Sequence, residues 1–178
     1  MNFKEILDEA LAGKAWQSAC IPTSEITFSK AVVEACEANY CGKYNATWTC
    51  PPAVGKLDEL RKKYSSYRYA YVFTTKHEIE DCFDIEGMFS AKKDHEKTEE
   101  ELMPLLKGKE CEMLGAGGCS VCEKCTYPDE ACRFPNRARP SIEACGVDVT
   151  DLARKCGINY INGENTVTYF SVVFFNGL

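Results

Sequence analysis

Histidine is scarce in this sequence, which contains only two residues of this type. A metal site in the chain must therefore take most of its ligands from other side chains. His95 lies in the charged segment DHEKTEEE, which is typical of a helix face in water, and we expect His77 at the surface or in a loop. No G-x-G-x-x-G motif opens a helix and no Ser-His-Asp set stands out, so nucleotide binding and serine-type catalysis are not indicated.

Positive charge is also in deficit, and the chain has no long apolar run. Lys and Arg total 21 against 27 for Asp and Glu, which gives a formal charge of −6. Because binding to phosphates needs a basic face, we expect no nucleic acid partner. The longest apolar stretch, near residues 170–175, is too short to span a bilayer, and the first residues are acidic where a signal peptide needs a basic start. We therefore expect a cytoplasmic protein without a membrane partner.

Cysteine, by contrast, is abundant, with 12 residues in a chain of 178. Such densities occur in small exported domains, which rely on disulfides because they cannot build a sufficient core. This chain is long enough to bury a core and shows no export signal, so its clustered thiols indicate metal binding instead. We expect a single domain over residues 1–178, with metal-binding loops at about residues 36–52 and 115–146.

The densest cysteine segment is LGAGGCSVCEKCTYPDEACRFP, residues 114–135. Cys119, Cys122 and Cys125 follow the pattern C-x2-C-x2-C, and Cys132 comes later, after an x6 spacing. A zinc ion usually collects two thiolates from each of two separate C-x2-C turns, whereas cysteines in three successive steps suit a cluster of several irons. The pattern resembles the bacterial ferredoxin segment C-x2-C-x2-C-x3-C-P, although the last spacing is longer here and no proline adjoins Cys132. It favours an iron–sulfur site over zinc.

A second segment, CEANYCGKYNATWTCPP at residues 36–52, has a looser cysteine spacing. Cys36, Cys41 and Cys50 follow C-x4-C-x8-C, and a proline comes directly after Cys50, as it does at cluster-closing positions of ferredoxins. Three aromatic residues lie between these cysteines: Tyr40, Tyr44 and Trp48. They either shelter a cluster from water or belong to ordinary core packing.

Eight cysteines suffice for two four-thiolate sites, and we predict two [4Fe-4S] clusters, with zinc as the alternative metal. The predicted ligands are Cys36, Cys41, Cys50, Cys119, Cys122, Cys125, Cys132 and Cys145. One partition joins Cys145 to the C-x2-C-x2-C cysteines and Cys132 to the first segment. Another partition leaves the first segment with three ligands, so that one iron is open to substrate. The isolated cysteines are expected to be buried and inert: Cys20, Cys82, Cys111 and Cys156.

Three ordered motifs carry a resemblance to a known family. They read CEANYCGKYNATWTCPP, LGAGGCSVCEKC and CRFPNRARPSIEACGVDV, and the similarity covers about residues 30–175. The combination resembles a prokaryotic family of predicted metal-binding proteins, a cysteine-rich domain of unknown function. The resemblance implies metal bound by these cysteines, in prokaryotic lineages rich in anaerobes, with no reaction assigned.

Hydrophobic periodicity predicts an α/β fold: a small mixed sheet flanked by helices, with the cysteine-rich loops at one end. The predicted helices are residues 2–12, 55–64, 86–107 with a break near Pro104, and a last helix from Asp148 or Thr150 to Lys155. The predicted strands are residues 26–33, 67–75 and 110–117, followed by a hairpin around Asn162-Gly163 that leads into a closing strand. Residues 67–117 then form a strand, helix, strand unit.

These observations leave three functions open. The first is electron transfer, as a carrier or redox accessory protein that serves a redox partner protein. The second is an enzyme in which a three-cysteine cluster offers an open iron to a small-molecule substrate, for dehydration, desulfidation or sulfur transfer. The third is a binding module with structural zinc. The sequence identifies no catalytic residue.

Overall fold

The computed structural model describes residues 2–177, and in this part of the chain four strands form one sheet. The strands are β1 (Gln17–Pro22), β2 (Tyr69–Glu78), β3 (Cys111–Leu114) and β4 (Thr166–Phe175). The helices are α1 (Phe3–Leu11), α2 (Lys30–Glu37), α3 (Leu57–Tyr64), α4 (Ile85–Leu106) and α5 (Val149–Cys156). Short 3-10 turns occupy Thr23–Glu25 and Glu143–Cys145. The predicted α/β class is confirmed.

The two longest strands, β2 and β4, form the centre of a sheet with the order β1-β2-β4-β3. Their antiparallel register places Phe73 opposite Ser171. Because β2 and β3 both run antiparallel to β4, they are parallel to each other, with α4 between them in the chain. The predicted strand, helix, strand unit is confirmed, with β4 lying between its two strands in the sheet. All strand pairs described are antiparallel, and parallel pairing occurs only in an isolated bridge between Gly115 and Ser141 within the described residues.

Side chains alternate between two hydrophobic layers, one on each face of the sheet. On the first face, Val72 belongs to a buried cluster with Leu60 of α3 and Leu152 of α5. On the second face, Phe73 belongs to a cluster with α1 and with Leu102 of α4. The sheet is therefore the middle layer of three, and α4 covers the face on which Phe73 and Ser171 lie.

The helix α4 is the longest, at 22 residues. Asp84 caps its first turn by accepting a hydrogen bond from the backbone N–H of Gly87. The helix continues through Pro104 in its last turn, so the predicted break at this residue is not observed. Within residues 2–177, no helix combines the length and the apolar character that crossing a bilayer requires.

Local signals explain why α1 and α5 form where they are predicted. Asn2 and Glu5 build a capping box at the start of α1. Asp148, one of the two predicted caps of α5, accepts a hydrogen bond from the backbone N–H of Asp151. Gly157 ends α5 in the left-handed conformation, with φ 65°, which glycine adopts without steric cost.

The strand predicted at residues 26–33 is wrong. The segment leads into α2, and the edge strand β1 lies earlier, where the sequence predicts no element. Val32 and Val33 favour a strand locally, but the alanine and glutamate residues around them favour a helix. The segment QSACIP escapes prediction because it has few β-branched residues and pairs on one side only, with β2.

The hairpin predicted around Asn162-Gly163 is also wrong. Residues 157–165 form turns and irregular backbone, and the closing strand begins at Thr166. One edge of β4 pairs with β2 along its whole length, and β3 covers only Val172–Phe175 on the other edge, but the preceding segment does not pair with the remaining part. The strand β3 is shorter than predicted and ends at Leu114, where the second cysteine loop begins.

Candidate metal centre

Four cysteines of the loop after β3 gather around one small cavity. They are Cys119, Cys122, Cys125 and Cys132. The cavity measures about 20 Å³, and Thr47, Thr49 and Phe134 form much of the remaining wall. All four thiols are partly buried. The structure thus brings the C-x2-C-x2-C cysteines together with Cys132, and we name these four residues the four-cysteine set.

The electrostatic surroundings of the four-cysteine set favour a positively charged metal group. Burial raises the pKa of Cys119, and negative charge on its three neighbouring cysteines raises it further. The backbone N–H of Val121 acts in the opposite direction, because its hydrogen bond to the sulfur stabilises the thiolate. A metal ion supplies the positive charge that stabilises coordinating thiolates, and N–H donors to sulfur are a recurrent feature of iron–sulfur sites. The donor set therefore fits a thiolate-ligated metal group.

One cysteine in the last turn of α2 and two in the loop after it form a second set, the three-cysteine set: Cys36, Cys41 and Cys50. Burial raises the pKa of Cys36 most, followed by the negative charge of Glu143 and then by Cys41 and Cys50. Cys50 is buried, Cys36 is partly buried and Cys41 is exposed, so the set opens to solvent on one side. The Cys36 thiol donates to the carbonyl oxygen of Glu143 across 3.9 Å.

The two cysteine loops pack against each other. The Trp48 and Tyr127 rings meet edge to face with centroids 4.9 Å apart, and Nε1 of Trp48 donates to the carbonyl oxygen of Glu130 at 3.0 Å. Thr49 lines the cavity of the four-cysteine set, and Cys50 of the other set follows it directly in the chain. The two sets are therefore neighbours.

Two residues refine the sequence interpretation of the loops. Gly118 is required by the loop contact, since a Cβ atom there would lie 2.8 Å from Cγ of Lys43. Tyr40 is 96 % exposed, so it shelters neither set, whereas Trp48 lines the cavity of the four-cysteine set.

Cys145 lies apart from both sets, inside the core. Its side chain is 0 % exposed, and its thiol donates to Oη of Tyr64 at 3.7 Å. Burial raises the pKa of Cys145 to about 12, and its other charged neighbours are Glu112, Lys63 and Glu143 rather than cysteines. The structure therefore does not support the partition that joins Cys145 to the C-x2-C-x2-C cysteines; Cys132 takes that place.

All twelve cysteines are free thiols. Of the four isolated ones, Cys20, Cys111 and Cys156 are partly buried and Cys82 is exposed, so the expectation of full burial is wrong. The Cys111 thiol donates to a backbone carbonyl, that of Leu106, at 3.5 Å. Within residues 2–177, no three histidine, cysteine or carboxylate side chains lie close enough together to hold a single metal ion.

A buried polar cluster lies between α4 and the sheet, where the sequence predicts a solvated helix face. That prediction is wrong for His95 and Glu99, which are 0 % and 2 % exposed. Both lie on the stripe that α4 buries, together with Ala91, Leu102 and Leu106. Successive residues of this stripe are three or four positions apart, which is the helical period and the signal that identifies both residues from sequence.

Hydrogen bonds join the polar cluster into a chain. Nε2 of His77 lies 2.8 Å from Oγ1 of Thr75, which lies 2.7 Å from Nδ1 of His95. Nε2 of His95 lies 2.7 Å from Oγ of Ser171, and Ser171 donates to Oε1 of Glu99 at 2.6 Å. His77 lies within β2 and is partly exposed, so its predicted placement in a loop is wrong, whereas its predicted placement at the surface is consistent with the structure.

Glu99 is the charged end of this chain. Arg139 donates to its Oε2 from Nε at 3.2 Å and from Nη2 at 3.0 Å. Burial acts to raise the pKa of Glu99, but its neighbours, above all His95 and Arg139, lower the pKa to about 2. Gly115 permits the close approach of the next loop, since a Cβ atom there would lie 2.6 Å from Oε1.

A cavity of about 130 Å³ links the polar cluster to the second cysteine loop. Glu99 and Arg139 line one part of it, and residues 115–121, which include Cys119, line another. Arg137, also in the wall, pairs with Glu100 at 2.7 Å. A group held by Cys119 and a molecule in this cavity would therefore be neighbours.

Comparison with known proteins agrees with a metal centre. No curated protein and no solved structure matches the chain. The model of a family described as predicted metal-binding protein (DUF2284) matches residues 19–175, a range that includes all eight predicted ligands. The chain therefore belongs to this family of predicted metal-binding proteins.

Proposed function

We propose that this metal-binding protein is an iron–sulfur protein that transfers electrons, with one [4Fe-4S] cluster in each cysteine loop. The observation that carries the proposal is the four-cysteine set, in which four thiols line one cavity. When bound, a cluster supplies reversible one-electron transfer, and the chain supplies its thiolates, N–H donors and cover. The partner is a redox protein, and the reducing cytoplasm is the compartment that keeps such thiols free.

Spacing and local structure favour iron over zinc. Cysteines at 119, 122 and 125 come from one short segment rather than from two separate turns, which a zinc ion prefers. The backbone N–H of Val121 lowers the pKa of Cys119, in the same sense as N–H groups near sulfur at iron–sulfur sites. Structural zinc remains the alternative that metal analysis decides.

The contact between the loops supports transfer of electrons between the two sets. Thr49 lines the cavity of the four-cysteine set, and the next residue, Cys50, belongs to the three-cysteine set, so one peptide bond joins the two sites. Trp48 and Tyr127 hold the loops together by an edge-to-face contact and fix this proximity. Groups held at fixed and short separation are what electron transfer requires.

A second candidate function rests on the composition of the three-cysteine set. Three thiols leave one iron of a [4Fe-4S] cluster without a cysteine ligand, and the exposed Cys41 places this set at the surface. Such an iron offers a Lewis acid or a sulfur acceptor to a small-molecule substrate, for dehydration, desulfidation or sulfur transfer. This candidate makes the four-cysteine set the electron supply and the three-cysteine set the reaction site.

The test is anaerobic purification with iron, sulfide and zinc quantified, followed by EPR of the reduced protein. We expect iron and sulfide in equal amounts and EPR signals from two clusters. Cys122→Ser should lower the iron content and the unfolding temperature, because a bound cluster stabilises only the folded state. Cys82→Ser, at an exposed isolated cysteine, is the control and should change neither. A colourless protein with stoichiometric zinc would contradict the proposal.

The same experiment separates the two candidate functions. Two clusters whose EPR signals do not respond to added cyanide or sulfide support electron transfer alone. A cluster that binds added cyanide or sulfide, with a changed EPR signal in the wild type, supports the open iron. Loss of that response in Cys50→Ser assigns it to the three-cysteine set.

A further inference from the structure

The hydrogen-bond chain from His77 to Glu99 has one consistent direction. Glu99 is an ionised acceptor, so the single hydroxyl proton of Ser171 points to it, and Ser171 must accept from Nε2–H of His95. In a neutral imidazole the other nitrogen is an acceptor, so Nδ1 of His95 accepts from the Thr75 hydroxyl. Thr75 then has only its lone pairs for His77, whose Nε2 must donate.

All donors therefore point the same way, from His77 through Thr75, His95 and Ser171 to Glu99. The two ends lie in different surroundings. His77 is partly exposed, whereas Glu99 lines the cavity that also contains Cys119. His95, in the middle, is 0 % exposed, so a proton reaches it only through its hydrogen-bond partners. From these observations we infer that the five residues form a proton pathway from the protein surface to the cavity beside Cys119, with His95 as the buried carrier.

The transfer balances in two steps. In the first, a proton from solvent binds Nδ1 of His77, the Nε2 proton moves to Thr75, and the Thr75 hydroxyl proton moves to Nδ1 of His95. His77 is then neutral again, and His95 is an imidazolium. In the second step, the Nε2 proton of His95 moves to Ser171 as the Ser171 proton moves to Glu99. One proton has entered and one is carried by Glu99. Both imidazoles are then in the Nδ1–H form, and the rings and hydroxyls must reorient to the resting Nε2–H form before a second proton can follow.

Charged groups lie close to His95 on the Glu99 side. Nε2 of His95 lies 3.5 Å from Oε1 of Glu99, and Arg139 pairs with the other oxygen of Glu99 at 3.0 Å. His77 and the Tyr169 ring face it from the sheet, and Asp94, beside it on α4, acts on His77. Because the pKa of Glu99 is about 2, Glu99 holds a proton only transiently, and the proton enters the cavity only where a base there accepts it.

This pathway exists whether or not the cysteines hold iron, but its coupling to reduction rests on the proposed function. Where a redox partner protein adds one electron to a group in the four-cysteine set, the pathway supplies the accompanying proton from solvent. The cavity would then receive electrons from the cysteine side and protons from the Glu99 side.

The test uses full-length protein, purified without oxygen and labelled with ¹⁵N. Two-bond ¹H–¹⁵N spectra report the tautomer of each imidazole, and the chain has only two histidines, which His77→Gln distinguishes. We expect both neutral imidazoles in the Nε2–H form. An Nδ1–H tautomer of His95 in the resting wild type would overturn the inference, and His77→Gln serves only to assign the two sets of signals.

The second readout is the rate at which His95 exchanges its proton with water during a pH titration. Thr75→Val removes the hydroxyl at constant shape and should slow this exchange on the order of 10²-fold, while Thr75→Ser restores it. Thr74→Val is the matched control, because Thr74 is an equally buried neighbour whose hydroxyl bonds to Gln17 on the other face. Equal rates in wild type and Thr75→Val would overturn the pathway. Zinc in the purified protein would instead contradict only the proposed function.

Discussion

The Cys145 thiol donates to the Tyr64 hydroxyl across 3.7 Å, and Tyr64 in turn donates to Oε1 of Glu112 at 2.9 Å. This hydrogen-bonded line runs through the core between α3 and the sheet. It gives Cys145 a structural partner and keeps its thiol protonated, since burial raises the pKa of Cys145 to about 12. Of the eight predicted ligands, this cysteine is the one whose surroundings resemble a core residue.

The first prediction follows from the different placement of Cys132 and Cys145. Cys132→Ser should lower the iron content by about half, because it removes a thiolate from one of two sets. Cys145→Ala should leave the iron content unchanged and cost about 1–2 kcal/mol of unfolding free energy, through a small cavity and a lost hydrogen bond. Metal analysis and urea unfolding measure the two effects.

Cys111→Ala is the matched control for stability. Like Cys145, Cys111 lies outside both cysteine sets, and its thiol donates to one acceptor, a backbone carbonyl. It should keep the full iron content and lose less stability than Cys145→Ala, since it is only partly buried. If Cys145→Ala loses as much iron as Cys132→Ser, Cys145 is a metal ligand and the prediction is wrong.

The sequence predicts the framework and both cysteine segments because their signals are local. Capping at Asn2 and Asp148 and aromatic residues along β2 depend on neighbours within a few positions. The edge strand β1 has a weak local signal, and the closing strand pairs with the distant strands β2 and β3 instead of forming its predicted hairpin. Local propensity does not contain these distant pairings.

The grouping of cysteines is not predictable from spacing, for a similar reason. Cys132 and Cys145 both follow the C-x2-C-x2-C segment at distances that a loop can bridge. They differ in the fold, where the Cys145 thiol donates to Tyr64 in the core. The burial of His95 and Glu99, by contrast, is predictable from the sequence, because both residues fit the helical period of the buried stripe of α4. In α4 the run of charged residues indicates a solvated helix face, and giving it more weight than the helical period leads to the wrong prediction.

The second prediction concerns acid stability. The folded pKa of Glu99, about 2, lies below its ordinary value of 4.5, so ionised Glu99 stabilises the fold above pH 4.5, and this contribution is lost as the pH falls from 4.5 through 2. Glu99→Gln should therefore cost on the order of 3 kcal/mol at pH 7, because it leaves Arg139 without its carboxylate partner. The difference between variant and wild type should shrink steadily below pH 4.5, as measured by urea unfolding at several pH values.

Glu100→Gln is the control for this prediction, since Glu100 pairs with Arg137 at the surface, where ion pairs contribute little. It should change stability by less than about 1 kcal/mol at any pH. A Glu99→Gln difference that does not vary with pH would show that lost packing, rather than lost charge, causes it.

The third prediction tests the contact between Glu99 and the second cysteine loop. A Cβ atom at residue 115 would lie 2.6 Å from Oε1 of Glu99, so Gly115→Ala forces the carboxylate or the loop to move. We expect a loss of about 1–3 kcal/mol of unfolding free energy. Gly177→Ala, at a site with no atom within 4 Å, should change stability by less than about 0.5 kcal/mol. Equal stability of the two variants would contradict the crowding of this contact.

The fourth prediction concerns the cover that Trp48 provides. Its ring lines the cavity of the four-cysteine set and holds Tyr127 and Glu130 of the other loop. Trp48→Ala should let water and oxygen reach the set, so iron should be lost faster in air than from the wild type, while Trp48→Phe retains the contact with Tyr127 and part of the protection. Trp16→Ala is the matched control, because Trp16 is also a tryptophan held by a single Nε1 hydrogen bond, at 2.8 Å, but outside both cysteine loops. If both alanine variants lose iron at the wild-type rate, as followed by the decay of visible absorption, access through Trp48 does not limit exposure of the metal.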